Sequence, residues 1–110
     1  MRTFLAALGA ALILTVAPCA AASSQILVVV KLHNGAPAKH AVVRMFTESA
    51  NYLITILETK TADASGKAVF RLHPGACFKG EYGRDSQGRP LEVAGECPKG
   101  NQRTLTIVLN

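Results

Sequence analysis

The sequence predicts an all-β chain, a single antiparallel seven-stranded β-sandwich, and three observations carry that prediction. Short runs with apolar residues at every second position recur along the chain, the two-residue period of a half-buried strand. Turn-forming Gly, Pro, Asn and Asp separate these runs at intervals of about 8 to 12 residues. No stretch downstream of the first two dozen residues shows the spacing of an amphipathic helix.

The N-terminal segment is set aside first. Arg2 precedes an apolar run from Phe4 to Val16, and Pro18 leads into Ala20-Ala21-Ala22. A charged start, a short apolar core and small residues for a peptidase define a secretory signal peptide over residues 1–22. The run falls short of the roughly 20 apolar residues that cross a bilayer, so no membrane anchor is expected after cleavage. Residues 23–110 then form one exported domain, periplasmic or secreted. Lipidation of Cys19 is the rival reading, but Pro18 stands where a lipobox carries Gly, Ala or Ser.

Cys19 leaves with the leader, which leaves Cys77 and Cys97 in an oxidising compartment with one connectivity open to them. A structural disulfide is expected. A domain this small buries only about 60 to 65% of its unfolded surface, and there is no Trp to enlarge the core. Without Arg2, eleven Lys or Arg face seven Asp or Glu, mostly dispersed. Arg84 to Arg89 is the exception and reads as a solvated hairpin loop. A nucleic-acid surface needs a denser basic stripe with aromatics interleaved, so no nucleic acid is expected as a partner.

The strands follow in order. Ile26 to Leu32 is the first, with Ile26, Val28, Val30 and Leu32 on one face. Asn34-Gly35-Ala36-Pro37 ends it, and Ala41, Val43 and Met45 then share a side opposite Arg44. Thr47 to Asn51 reads as a loop. Leu53 to Leu57 is a third strand, because Ile54, Thr55 and Ile56 are consecutive β-branched residues. Asp63 to Gly66 is a tight turn that opens into strict alternation, with Ala68, Phe70 and Leu72 facing one way and Lys67, Val69 and Arg71 the other. Thr61 to Leu72 therefore reads as an arm of a β-hairpin. His73-Pro74-Gly75 is a further turn, followed by Ala76, Phe78, Gly80 and Tyr82 in one phase and Cys77, Lys79 and Glu81 in the other. Leu91 and Val93 mark a short strand, and Arg103 to Leu109 closes the chain with Leu105, Ile107 and Leu109 inward. An unpaired apolar strand such as Ile26 to Leu32 would invite homodimerisation by edge pairing.

Two blocks together resemble the carboxypeptidase regulatory-like domain, a prealbumin-like (transthyretin-like) and broadly Ig-like sandwich. Gly35-Ala36-Pro37 followed by Ala41-Val42-Val43 is similar to that family's G-x-P and A-x-V elements. Thr61, Asp63, Gly66, Ala68 and Phe70 match its T-x-D-x-x-G pattern and the apolar residues that follow. The resemblance spans nearly all of residues 23–110 and implies a noncatalytic appendage that stabilises or positions a neighbouring protein. One departure is Cys77, which stands where the family carries Tyr. If Cys77 faced inward, alternation would turn Lys79 inward too. A bulge near Gly80, or a Cys77 at the sandwich edge, would resolve the conflict.

Catalytic motifs are not found. A related transthyretin-like hydrolase carries a Tyr-Arg-Gly-Ser terminus, whereas this sequence reads Ile107-Val108-Leu109-Asn110. Tyr52 and Tyr82 lack the clustered histidines of intradiol dioxygenases. Ser65 lies in a turn and not in a Gly-x-Ser-x-Gly elbow. Asp63 to Gly66 lacks the alternating acids of a calcium loop, and no cofactor is expected. The sequence thus points to an exported, noncatalytic sandwich that binds a protein partner or stabilises an envelope or secreted assembly. The alternative is a small metal- or ligand-binding protein using His33, His40 and His73, should the fold bring His33 and His73 together.

Overall fold

A computed structural model describes residues 24–110 as seven strands with no helix among them. The proposed signal peptide and Cys19 lie outside the described residues. The strands are β1 Gln25–Lys31, β2 Val42–Glu48, β3 Ile54–Thr61, β4 Lys67–Arg71, β5 Cys77–Arg84, β6 Pro90–Glu96 and β7 Thr104–Val108. One sheet has the order β4-β1-β7 and the other β3-β2-β5-β6.

Alternation in the sequence becomes burial between the sheets. Ile26, Val28 and Val30 of β1, Phe70 of β4 and Ile107 of β7 are fully buried, and Val43 and Phe78 meet them from the other sheet. Phe70 and Phe78 touch edge to face across the interior, their ring centroids 5.1 Å apart. Truncating either ring to alanine would cost about 3 to 5 kcal/mol. Gly80 sits where a methyl group would press on Val30, Ile107 and Leu109, so the sheets pack closely there.

The conflict at Cys77 dissolves without a bulge at Gly80. Register along β5 and β6 runs unbroken from Phe78 opposite Glu96 to Tyr82 opposite Glu92. Cys77, Lys79 and Glu81 all take the outer face. The same register sets Cys77 opposite Cys97, and the two form a disulfide with Cα atoms 4.3 Å apart. That matches the narrow cross-strand spacing of about 4.5 Å. Closing this loop contributes about 3 kcal/mol by restricting the unfolded chain.

Three expectations are corrected. β1 and β7 pair in parallel, from Leu27 opposite Thr104 to Lys31 opposite Val108, so the sandwich is not wholly antiparallel. A parallel pair needs a long crossover, and β2 to β6 supply it. Ile26 to Leu32 is not an edge, because β1 lies between β4 and β7; the edges are β3, β4, β6 and β7. Thr61 to Leu72 is not a hairpin arm either, since β3 and β4 belong to different sheets. The Asp63 to Gly66 turn carries the chain across the sandwich. Gly66 makes this crossing tight, with its carbonyl accepting Val30 N–H at 2.7 Å.

Candidate functional site

The histidines do not form one site. His33 follows the C-terminal end of β1, whereas His73 follows Arg71, which pairs with Gln25 at the other end of β1. The two are therefore at opposite ends of the sandwich. His40 is a structural residue: it stands at φ 62°, its N–H bonds to the Asp63 carbonyl at 3.2 Å and its Nδ1 lies 3.3 Å from the Ala62 carbonyl oxygen. Among the described residues, no three His, Cys, Asp or Glu side chains group as metal ligands would. His73 lines an open recess of about 210 Å³ beside the disulfide, together with Pro74, Cys77, Cys97 and Pro98.

Glu81 was not singled out by sequence reasoning. It is 6% exposed although it faces outward, because three cations close over it. Arg44 donates from Nε and Nη2 to its two carboxylate oxygens, each at 3.3 Å. Lys79 and Arg84 each approach within 3.5 Å. Arg44 and Lys79 are a cross-strand pair, so the cluster ties β2 to β5 on the outer face.

Among the described residues, the longest run of exposed large apolar side chains is at the β2–β3 hairpin. Tyr52 is 81% exposed, Leu53 65%, Ile54 53%, Ile56 48% and Leu57 38%. Strand β2 pairs with β5 only as far as Phe46 opposite Cys77, yet it pairs with β3 on to Glu48 opposite Ile54. The hairpin therefore projects past the end of the central strand, where no core can cover it. The register shifts between Met45 and Phe46, so β3 carries one extra residue, Leu57, and bends there.

Tyr52 occupies an unusual place in a repeated turn. Starting at Leu32, Ser49, Asp63 and Asp85, the first N–H bonds to the carbonyl four residues on, and its own carbonyl accepts the N–H three residues on. The fourth residue of each turn has a left-handed backbone: Gly35 at φ 91°, Tyr52 at 64°, Gly66 at 78° and Gly88 at 80°. Glycine takes that conformation freely, whereas an L side chain is strained there by about 1 to 2 kcal/mol. Tyr52 alone lacks the glycine. Its side chain is mostly solvent-exposed, so packing does not offset the strain.

The sandwich edges also differ. β4 and β7 have five residues each, and short edge strands recruit foreign strands poorly. Lys60 further closes β4, donating from Nζ to the Val69 carbonyl at 2.6 Å while its charge lies 5.4 Å from the Phe70 ring. β6 begins at Pro90 and carries Glu92 and Glu96. β3 is eight residues long, and its Ile54 to Leu57 half holds no charge and no proline.

No family model matches the chain, and no curated protein matches it. Among solved structures the chain is similar to a 9R-lipoxygenase from Cyanothece PCC8801, with 12% identity and a TM-score of 0.50. That match covers 77% of this chain and 16% of the lipoxygenase chain. At this identity the likeness concerns the fold alone. Among the described residues no helix is long and apolar enough to cross a membrane.

Proposed function

We propose that this is an exported, noncatalytic sandwich of the carboxypeptidase regulatory-like kind, which binds another protein through the β2–β3 hairpin and the open edge of β3. The observation that carries the reading is Tyr52: an exposed aromatic held in a left-handed backbone where three equivalent turns use glycine. Strain kept at a solvent-facing position, beside four exposed aliphatic residues, points to a purpose other than folding. The cystine supports an oxidising destination. The Glu81 cluster and the disulfide brace the sheet from which the hairpin projects.

The test is capture from the native exported fraction on immobilised protein, compared with Tyr52→Gly and Ile56→Lys variants. Both substitutions lie outside the core, and circular dichroism should show the fold retained in each. A protein retained by the wild type and released by both variants is the expected result. Equal capture by all three would refute the assignment of the hairpin as the binding surface.

A further inference from the structure

We infer that the partner on the β3 edge is a second copy of this chain, paired antiparallel about a two-fold axis through Thr55. The inference rests on the reading of the hairpin as an interaction surface, and it adds the occupant and the register. Leu53-Ile54-Thr55-Ile56-Leu57 reads the same in both directions. An antiparallel strand pair centred on Thr55 therefore sets Ile54 against Ile56 of the second copy, Leu53 against its Leu57, and Thr55 against Thr55. The Ile54–Ile56 and Leu53–Leu57 contacts each occur twice and the Thr55 contact once, on the axis, as an isologous interface requires.

Three further observations favour this occupant over an unrelated strand. The palindrome coincides with the uncharged stretch of β3, whereas β6, the other edge of that sheet, starts at a proline and carries Glu92 and Glu96. It is also the more open half of β3: Ile54 and Ile56 are half exposed, whereas Glu58 and Lys60 line the crevice beside β4. Faces match as well, because Ile54 and Ile56 pair with outward-facing Glu48 and Phe46 of β2. A two-fold axis at Thr55 then joins two four-stranded sheets into one of eight strands. The four isoleucines form a single apolar patch on its outer face.

Light scattering over a concentration series of the purified protein should show a monomer–dimer equilibrium without larger species, because pairing uses up the β3 edge of both copies. Thr55→Lys puts two ammonium groups directly opposite each other and should raise the dimer dissociation constant at least about tenfold, with an unchanged circular dichroism spectrum. Thr55→Cys should cross-link to itself on oxidation, since directly opposed residues lie about 4.5 to 5.5 Å apart. Thr59→Cys, about 26 Å from its own image in this register, should not. A monomer at every concentration, a dimer indifferent to Thr55→Lys, or cross-linking at Thr59 in place of Thr55 would overturn the inference. If the protein is monomeric yet still loses capture of another protein with Tyr52→Gly and Ile56→Lys, self-pairing fails and the wider reading survives. If capture is also indifferent to both variants, the two fall together.

Discussion

The turn from Asp63 to Lys67 and the turn from Ser49 to Leu53 have the same backbone hydrogen bonds and opposite chemistry. In the first, the Asp63 carboxylate accepts the N–H groups of Ser65 and Lys67 at 2.9 and 3.0 Å, and the Ser65 hydroxyl at 2.7 Å. Gly66 then supplies the left-handed residue. In the second, Ser49 accepts only the Leu53 N–H through its hydroxyl, at 3.2 Å, and Tyr52 takes the glycine place. The first turn holds two sheets together at a point where no side chain fits. The second lies beyond the core. Local sequence there has been left free of the demands of folding, which is where a binding surface has room to arise.

Among changes in the turns, Gly66→Ala should have the largest effect. A methyl group there would sit 2.5 Å from the Val30 carbonyl oxygen and 3.1 Å from the Ala38 nitrogen, in addition to backbone strain, for a loss of about 3 kcal/mol in urea denaturation. Gly88→Ala isolates the strain alone, because nothing lies within 4 Å of the added carbon. Its cost should be about 1 to 2 kcal/mol. Tyr52→Gly reverses the sign and should raise stability by about 0.5 to 1 kcal/mol, since relief of strain outweighs the greater freedom of the unfolded glycine. If Tyr52→Gly destabilises the fold, the tyrosine serves folding and the contrast between the two turns fails.

Acid should separate the turns as well, by a smaller effect. The Ser65 hydroxyl and the backbone N–H groups of Lys67 and Ser65 hold Asp63 below the ordinary aspartate value. The Arg89 N–H, ahead of that of Gln87, does the same for Asp85. A depressed folded value means that the stabilisation is present above the unfolded value of about 3.9 and is lost as pH falls through the folded one. Amide shifts of Ser65, Lys67, Gln87 and Arg89 should therefore move between about pH 5 and pH 2, while that of Leu53 stays in place. Movement at Leu53 over the same range would show that the hairpin tip is coupled to the acidic turns.

Much of the fold was legible because strand alternation acts locally. Ala68 and Phe70 against Val69 and Arg71, or Leu105 and Ile107 against Thr104 and Thr106, needed no knowledge of their neighbours. Strand pairing was not legible, because it depends on which sheet a turn delivers the chain to. Asp63 to Gly66 uses hairpin-like bonds to cross between sheets, and nothing in those residues distinguishes the two outcomes. The edge was misplaced for the same reason. β1 is apolar because it is central, whereas the apolar residues of β3 are exposed. The palindrome at Leu53 to Leu57 is visible in the sequence but gains meaning only once β3 is known to be an edge. Tyr52 could have been noticed by aligning the chain's own turns, since Asp63 to Lys67 and Asp85 to Arg89 share an Asp-x-x-Gly pattern that Ser49 to Leu53 breaks.

The parallel pairing of β1 with β7 has a consequence for how the chain is made. One side of β1 stays bare until Thr104 to Val108 leaves the ribosome, with some seventy residues synthesised between the two strands. The first strand cannot be completed by anything translated near it, so native structure awaits the last strand.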